Sequence, residues 1–242
     1  MAAPHPNSTY MSPSTPPKGA GSGEPIKPTL LAFHGSGSNA TVHTVQLARL
    51  MRAIKPYFNV ESLEAPFPSP AGPGVLPFFD GCGPFKRWLP PTEKVSIESM
   101  RSGTSTSTLS PEVESLVRST IQKIRSEGGG RVVGLIGFSQ GTKVVAGLLK
   151  GCEIRRALLA SSASSPSSED LEDSSWLDFD FALSVCGSYP PPLIPSCATD
   201  LLAKSTALGS EQEKKELLEG KIGIPTFHVQ GSRMSGFGRG GR

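Results

Sequence analysis

The sequence predicts an α/β fold: a parallel sheet covered by helices on both faces. Three observations predict it. Short apolar runs, such as residues 29–34 and 132–138, alternate with stretches of helical period. These runs are apolar throughout rather than at every second position, as strands buried on both faces are. The turns that end them, His34-Gly35-Ser36-Gly37 and Gly137-Phe138-Ser139-Gln140-Gly141, are glycine-rich and lead straight into helix-competent sequence.

The elements follow in order. Residues 1–28 are rich in Pro, Ser and Gly; they bury too little apolar surface to offset the entropy of ordering, and a disordered tail is expected. Residues 29–34 form the first strand. Residues 40–54 place Val42, Val45, Leu47, Leu50, Met51 and Ile54 near a helical period, and Pro56 ends the helix. Residues 57–63 read as the next strand. The loop after it is dense in Pro, Gly and aromatics, with Phe78, Phe79 and Trp88 as candidates to line a substrate pocket. The same aromatics would serve equally in a stiffened loop that buries them for stability alone. Ser110 and Pro111 open a helix over 111–127, as N-cap and first helical residue. Strand 132–138 and a helix over 142–150 flank Ser139. Residues 156–161 read as a further buried strand. An excursion over 162–196 is expected as a lid-like insert above the strand ends. A helix within 199–220 and a strand over 224–229 complete the pattern. Right-handed crossovers would bring the turns after the strands to one edge of the sheet.

Ser139 is the candidate catalytic residue. A serine between a strand end and a helix start, with Gly137 and Gly141 two positions away on either side, has the G-x-S-x-G spacing of a nucleophile elbow. The turn is too tight for side chains at 137 and 141. The alternative is a structural turn serine. The His34-Gly35-Ser36-Gly37 turn suits the second half of an oxyanion hole, with the backbone N–H of Ser36 and that of Gln140 as the donors. Its alternative is a plain glycine-rich turn or a phosphate cradle, but it lacks the Lys-Ser/Thr of a P-loop and the G-x-G-x-x-G spacing of a dinucleotide site.

The chain of 242 residues allows one large domain or two small ones. A net charge of +3, with no basic face, argues against a nucleic-acid partner. The four cysteines (Cys82, Cys152, Cys186 and Cys197) have neither CxxC nor metal-ligand spacing, so reduced thiols and no metal are expected. The acidic cluster Glu169, Asp170, Glu172 and Asp173 reads as a solvated stretch. No apolar run reaches the roughly 20 residues of a membrane span, and no signal peptide opens the chain. A cytoplasmic protein without a cofactor or a membrane partner is expected.

A serine nucleophile needs a base, and the base an orienting acid. After Ser139 the only histidine is His228, inside strand 224–229, and the turn Gly231-Ser232-Arg233-Met234 carries no carboxylate.

These residues resemble the fungal serine hydrolase (FSH) family of α/β-hydrolases. The resemblance rests on the strand into His34-Gly35-x-Gly37-x-Asn39, on Glu64-Ala65-Pro66-Phe67 with Gly72-Pro73-Gly74, on Phe79-Asp80-Gly81 and Trp88, on the elbow, and on Ile224-Pro225-Thr226-x-His228-Val229-x-Gly231. The Pro73-to-Phe85 loop is similar to the branch found in fungal polyketide gene clusters. The resemblance implies a hydrolase domain over 29–231, with Ser139 as nucleophile and the Ser36 and Gln140 amides as oxyanion hole. It implies an acyl ester or acyl-carrier thioester as substrate and, for some members, a polyketide synthase as partner. It aligns the family's acid with Met234, and its histidine comes later in a Gly-His segment. Residues 232–242 therefore read as an aberrant Gly/Arg tail on a truncated chain. The final strand and helix are expected to be lacking, and activity impaired. The alternative in another class is a non-catalytic binding protein that keeps the fold for an acyl ligand or a carrier domain. RNA contact by the Gly/Arg tail is a third reading.

Overall fold

The computed structural model describes residues 26–93, 96–102, 104–161, 172–187, 191–205 and 210–231. The tail at 1–25, the tail at 232–242, Glu169, Asp170 and most of the first half of the expected insert lie outside them. Five strands make one parallel sheet: β1 (Thr29–Phe33), β2 (Asn59–Leu63), β5 (Val132–Phe138), β6 (Phe181–Val185) and β7 (Thr226–Val229), in the order β2-β1-β5-β6-β7. A two-stranded antiparallel ribbon, β3 (Phe67–Ser69) with β4 (Phe85–Arg87), stands apart from it.

Helices cover both faces. α1 (Ala40–Gln46) and α2 (Ala48–Ile54) lie on one; α4 (Pro111–Ser126), α5 (Gly141–Ala160), α6 (Ser196–Lys204) and α7 (Glu211–Glu219) lie on the other, and the short α3 is Ile97–Arg101. The alternation of strand side chains explains the two layers. Leu31, Phe33 and Leu135 enter a large core with α4 and α5, while Leu30, Ala32 and Ile136 enter a smaller one against α1 and α2. All five β1 residues are buried, which is why that strand reads as continuously apolar. Each fully buried Leu, Ile or Phe contributes about 1.5–3 kcal/mol relative to exposure.

The α/β fold is as expected, and helix α4 starts where Ser110 and Pro111 predict. The Ser110 hydroxyl accepts the Val113 N–H at 3.4 Å. Helix 40–54 is instead two pieces meeting at Leu47, whose αR backbone (φ −79°, ψ −3°) joins them.

Two expectations are corrected. Residues 156–161 are not a strand: α5 runs on to Ala160. Gly147 and Gly151 do not end this helix, because both are close-approach points. A Cβ on Gly147 would fall on the Leu193 carbonyl, and one on Gly151 would lie 3.1 Å from Leu177 Cδ1 and 3.3 Å from the Ala198 Cβ. Nor is 162–196 one lid-like excursion. It contains β6, in the middle of the sheet, and the buried Trp176, Leu177 and Phe179. Residues 191–194 then pack back along α5, the Leu193 N–H donating to the Lys143 carbonyl at 3.0 Å.

The last strand exposes Phe227 and Val229. Among the described residues, β7 is an edge of the sheet.

Candidate active site

Ser139 stands at the end of β5, one residue before the α5 N-cap, Gln140. Its φ is +48°, the left-handed region that non-glycine residues rarely adopt. Strain of this kind is held only where the surroundings fix it. Here they do: the Ser139 N–H donates to the Val185 carbonyl at 3.0 Å, and the Ser139 carbonyl accepts the Thr142 N–H at 3.0 Å and the Thr142 hydroxyl at 2.5 Å. The flanking glycines are required by the fold. A Cβ on Gly137 would lie 2.8 Å from Thr142 Cα, and one on Gly141 would run into the Phe33 and His34 carbonyls.

The turn after β1 lies against this elbow. A Cβ on Gly35 would sit 2.9 Å from the Phe138 ring and 3.4 Å from Ser139 Cβ, so only glycine lets the two turns meet. Beyond it, Gly37 (φ +73°) donates to the Lys86 carbonyl, and its own carbonyl accepts the Gly72 N–H, both at 2.8 Å. Asn39 caps α1 through the Val42 N–H at 2.8 Å and donates to the Cys82 carbonyl at 2.7 Å. The Ser36 turn is thus clamped from both sides by the 72–86 loop.

The N–H groups of Gly37, Ser38, Ser139, Thr142 and Lys143 all bond to backbone carbonyls. Among the described residues, the N–H groups of Ser36 and Gln140 have no acceptor. They are the two expected of an oxyanion hole. The Gln140 side chain does not cap its helix, so the positive end of α5 stays open toward the turn.

The imidazoles are placed elsewhere. The His34 Nδ1 bonds to the Gly35 carbonyl at 2.8 Å, and its Nε2 accepts the Ala65 N–H at 3.1 Å. A carbonyl cannot donate and an amide N–H cannot accept, so the ring is neutral with the proton on Nδ1. Burial pushes its pKa below the usual value. His34 is therefore a brace between the ends of β1 and β2. His43, expected at the surface or in packing, is 1% exposed, 6.5 Å from the Phe138 ring between centroids, with neither ring nitrogen bonded. Burial, then the neighbouring His34, lower its pKa to about 4. His228 is on β7, with β6 between it and β5, in register with Ser184 and through it with Gly137. Among the described residues, no imidazole or carboxylate hydrogen-bonds to the Ser139 hydroxyl.

A family model described as "Serine hydrolase (FSH1)" matches residues 24–233. The chain belongs to this serine hydrolase family. The hydrolase is 30% identical over 213 residues to "Thioesterase FSL2" of Gibberella zeae, covering 85% of this chain and 72% of that one. It is 31% identical over 233 residues to "Probable esterase afoC" of Emericella nidulans, covering 86% and 75%. It is 28% identical over 204 residues to the "Dihydromonacolin L-[lovastatin nonaketide synthase] thioesterase" of Aspergillus terreus, covering 84% and 72%. Among solved structures, "Crystal structure of esterase PE8" matches 86% of the hydrolase and 84% of that chain at 18% identity and a TM-score of 0.37. The α/β-hydrolase fold rests on the sheet order and the elbow, not on that likeness.

Of the two readings of the aromatic loop, burial for stability fits Trp88. Trp88 of the hydrolase is fully buried; its indole N–H donates to the His34 carbonyl at 2.7 Å and its backbone N–H to Gln140 Oε1 at 2.8 Å. Phe78 is 84% exposed, and Phe79 is half-buried. The Gln140 side chain, Lys143 and Lys150 went unremarked in the sequence. The signal for the lysines was present, two charges in the otherwise small and apolar run 142–150, but which face they occupy depends on the 191–194 segment.

No helix among the described residues is long and apolar enough to cross a membrane. No cluster of metal-ligating side chains is found among them.

Proposed function

We propose that the protein hydrolyses an acyl ester or thioester, with Ser139 as nucleophile. Its hydroxyl oxygen attacks the acyl carbonyl, and the Ser36 and Gln140 N–H groups donate to the oxyanion of the tetrahedral intermediate. Loss of the alcohol or thiol leaves an acyl-serine, which water cleaves. The observation that carries this is the Ser139 turn, held at φ +48° beside two N–H groups without acceptors. The names of the relatives from Gibberella zeae and Aspergillus terreus favour a thioester, and the latter a chain carried on a polyketide synthase.

Residues 1–242 by themselves turn over slowly. No described side chain takes the proton from Ser139, and loss of the acid–base pair costs on the order of 10⁴-fold while the oxyanion hole retains some catalysis. Labelling with a fluorophosphonate probe tests both statements. Slow labelling, abolished in Ser139→Ala, is expected. Labelling at a rate typical of an intact serine hydrolase would sink the impairment. Labelling that survives Ser139→Ala would sink the nucleophile.

The unassisted Ser139 hydroxyl also favours a second reading, a non-catalytic protein that binds an acyl ligand or a carrier domain. Acyl-thioester affinity retained in Ser139→Ala, with no slow labelling of the parent, would select it.

A further inference from the structure

The inner side of β7 is fastened to β6. The Pro225 carbonyl accepts the Ala182 N–H at 2.9 Å, and the Val229 carbonyl accepts the Cys186 N–H at 2.8 Å. In a ladder, alternate residues of a strand turn their backbone groups to opposite sides. Pro225, Phe227 and Val229 therefore face β6, and Thr226, His228 and Gln230 turn their N–H and C=O groups away from it. Among the described residues no strand takes up that outer row, and the three N–H groups have no acceptor.

The edge also lacks the usual protection. Natural edge strands carry Lys, Pro, an inward charge or a bulge against unwanted pairing. Residues 226–230 (Thr-Phe-His-Val-Gln) carry no Lys, Arg, Asp, Glu or Pro, and β7 follows β6 in unbroken register. Phe227 and Val229, in register with Leu183 and Val185, continue the face that α1 and α2 cover on the other strands. They are 71% and 40% exposed.

We propose that this edge pairs with the same edge of a second copy of the chain, antiparallel about a two-fold axis at His228. The free groups select that register. With His228 opposite itself, Thr226 of each copy falls opposite Gln230 of the other, so all three outward residues enter hydrogen-bonded pairs. A centre at Phe227 would set Gln230 against Ile224, whose N–H is already donated to Glu153, and one at Val229 would carry Thr226 past Gly231. The same register sets Phe227 beside Val229 of the other copy, twice, an aromatic and β-branched pairing on the apolar face. A second copy is the partner whose edge matches this one in length, in hydrogen-bonding row and in face. The arrangement is isologous and closes on two copies. Two five-stranded sheets become one of ten strands. The two Ser139 turns open at opposite edges of it, so neither obstructs the other, and the pairing does not depend on the chemistry at Ser139. One short strand a side is a small interface, so the dimer is weak and depends on concentration.

Sedimentation equilibrium of the 242-residue chain, from about 1 to about 200 micromolar, tests the proposal. A rise in mass from one copy to two, and no further, is expected. His228→Pro removes the central outward donor while β6 loses no bond, as an edge strand tolerates. Phe227→Lys adds the charge that natural edges carry. Each should weaken the dimer by about tenfold or more, with circular dichroism reporting that the variant is folded. Phe227 is exposed in the single copy, so Phe227→Lys serves alone should the proline variant fail to fold. Oxidative cross-linking reads the register. His228→Cys would stand about 5.5 Å from its counterpart between Cα atoms, within disulfide reach, and Thr226→Cys about 14 Å from its own. The first should link two copies above the level of the parent, with its exposed Cys82 and Cys186, and the second should not. A single-copy mass throughout, growth beyond two copies, a dimer indifferent to both variants, or cross-linking at 226 as ready as at 228 would overturn the proposal.

Discussion

The Gln140 side-chain oxygen accepts the backbone N–H of Trp88 at 2.8 Å, deep in the protein. One residue thus offers its backbone N–H to the candidate oxyanion and uses its side chain to hold the segment that covers the elbow.

Replacing that acceptor should be felt twice. Gln140→Leu leaves the Trp88 N–H buried without a partner, at a cost of about 1–3 kcal/mol. Chemical denaturation should show it as a lower midpoint at unchanged slope. Gln140→Glu keeps an acceptor but sets a carboxylate beside a developing negative charge. Its fluorophosphonate labelling should fall more than its stability does.

The elbow glycines tolerate no side chain. Gly141→Ala drives a methyl group into the Phe33 and His34 carbonyls. Those belong to the end of β1, at the centre of the sheet, and cannot retreat. Loss of more than about 4 kcal/mol is expected, read as failure to accumulate soluble protein or as a collapse of the melting temperature.

Glu114 reaches from α4 to the start of α6. Its carboxylate accepts the Ser196 N–H and hydroxyl, both at 2.8 Å, and the Cys197 N–H at 3.3 Å, while it is itself buried. Glu114→Ala removes three bonds and the charge at a helix N-terminus, for about 2–3 kcal/mol. Glu114→Gln retains an acceptor and should lose less. Equal losses in the two would mean that the charge and the bonds contribute nothing separately.

His43 should make the protein sensitive to mild acid. Its folded pKa, about 4, lies below the unfolded value of 6.5. Above pH 6.5 both states are neutral, and the residue costs nothing through its charge. Between pH 6.5 and 4 the unfolded chain takes up the proton first, so stability falls as pH falls, by up to about 3 kcal/mol from this group. His43→Phe fills a similar volume and removes two unbonded buried nitrogens. It should flatten the fall in melting temperature between pH 7 and 4; a fall as steep as that of the parent would remove His43 from the explanation.

The sequence made β5, the elbow and the start of α5 legible because the information there is local. Val132 to Phe138 is continuously apolar, and Gly137 and Gly141 answer to atoms only a few residues away or on the adjacent strand. The same local reasoning stops the helix at Lys150, whereas it runs on through Gly151. The reason for that glycine is the close pass of Leu177 and Ala198, and neither is visible from position 151. β6 was missed because it is five residues long and sits among the acidic Asp178, Asp180 and a serine-rich stretch. Asp178 and Asp180, in the loop that leads into β6, are partners of Arg131 and Arg156 beside the sheet. Trp88, among loop aromatics, suits a pocket wall and a buried brace equally in the sequence; only the fold shows its indole donating to the His34 carbonyl.

The contacts that lock His34 have a bearing on when the site comes into being. The Ala65 amide is 31 positions along the chain from His34 and the Trp88 indole 54, while the Gln140 side chain that fastens Trp88 is a further 52 away. Contacts this distant form late, after chain closure has been achieved by the sheet. A nascent chain would carry β1 and its glycine turn through most of synthesis with nothing to set their geometry. The cleft would be completed only once the far end of β5 is made, so a chain stalled before that point holds the first half of the site in no fixed shape.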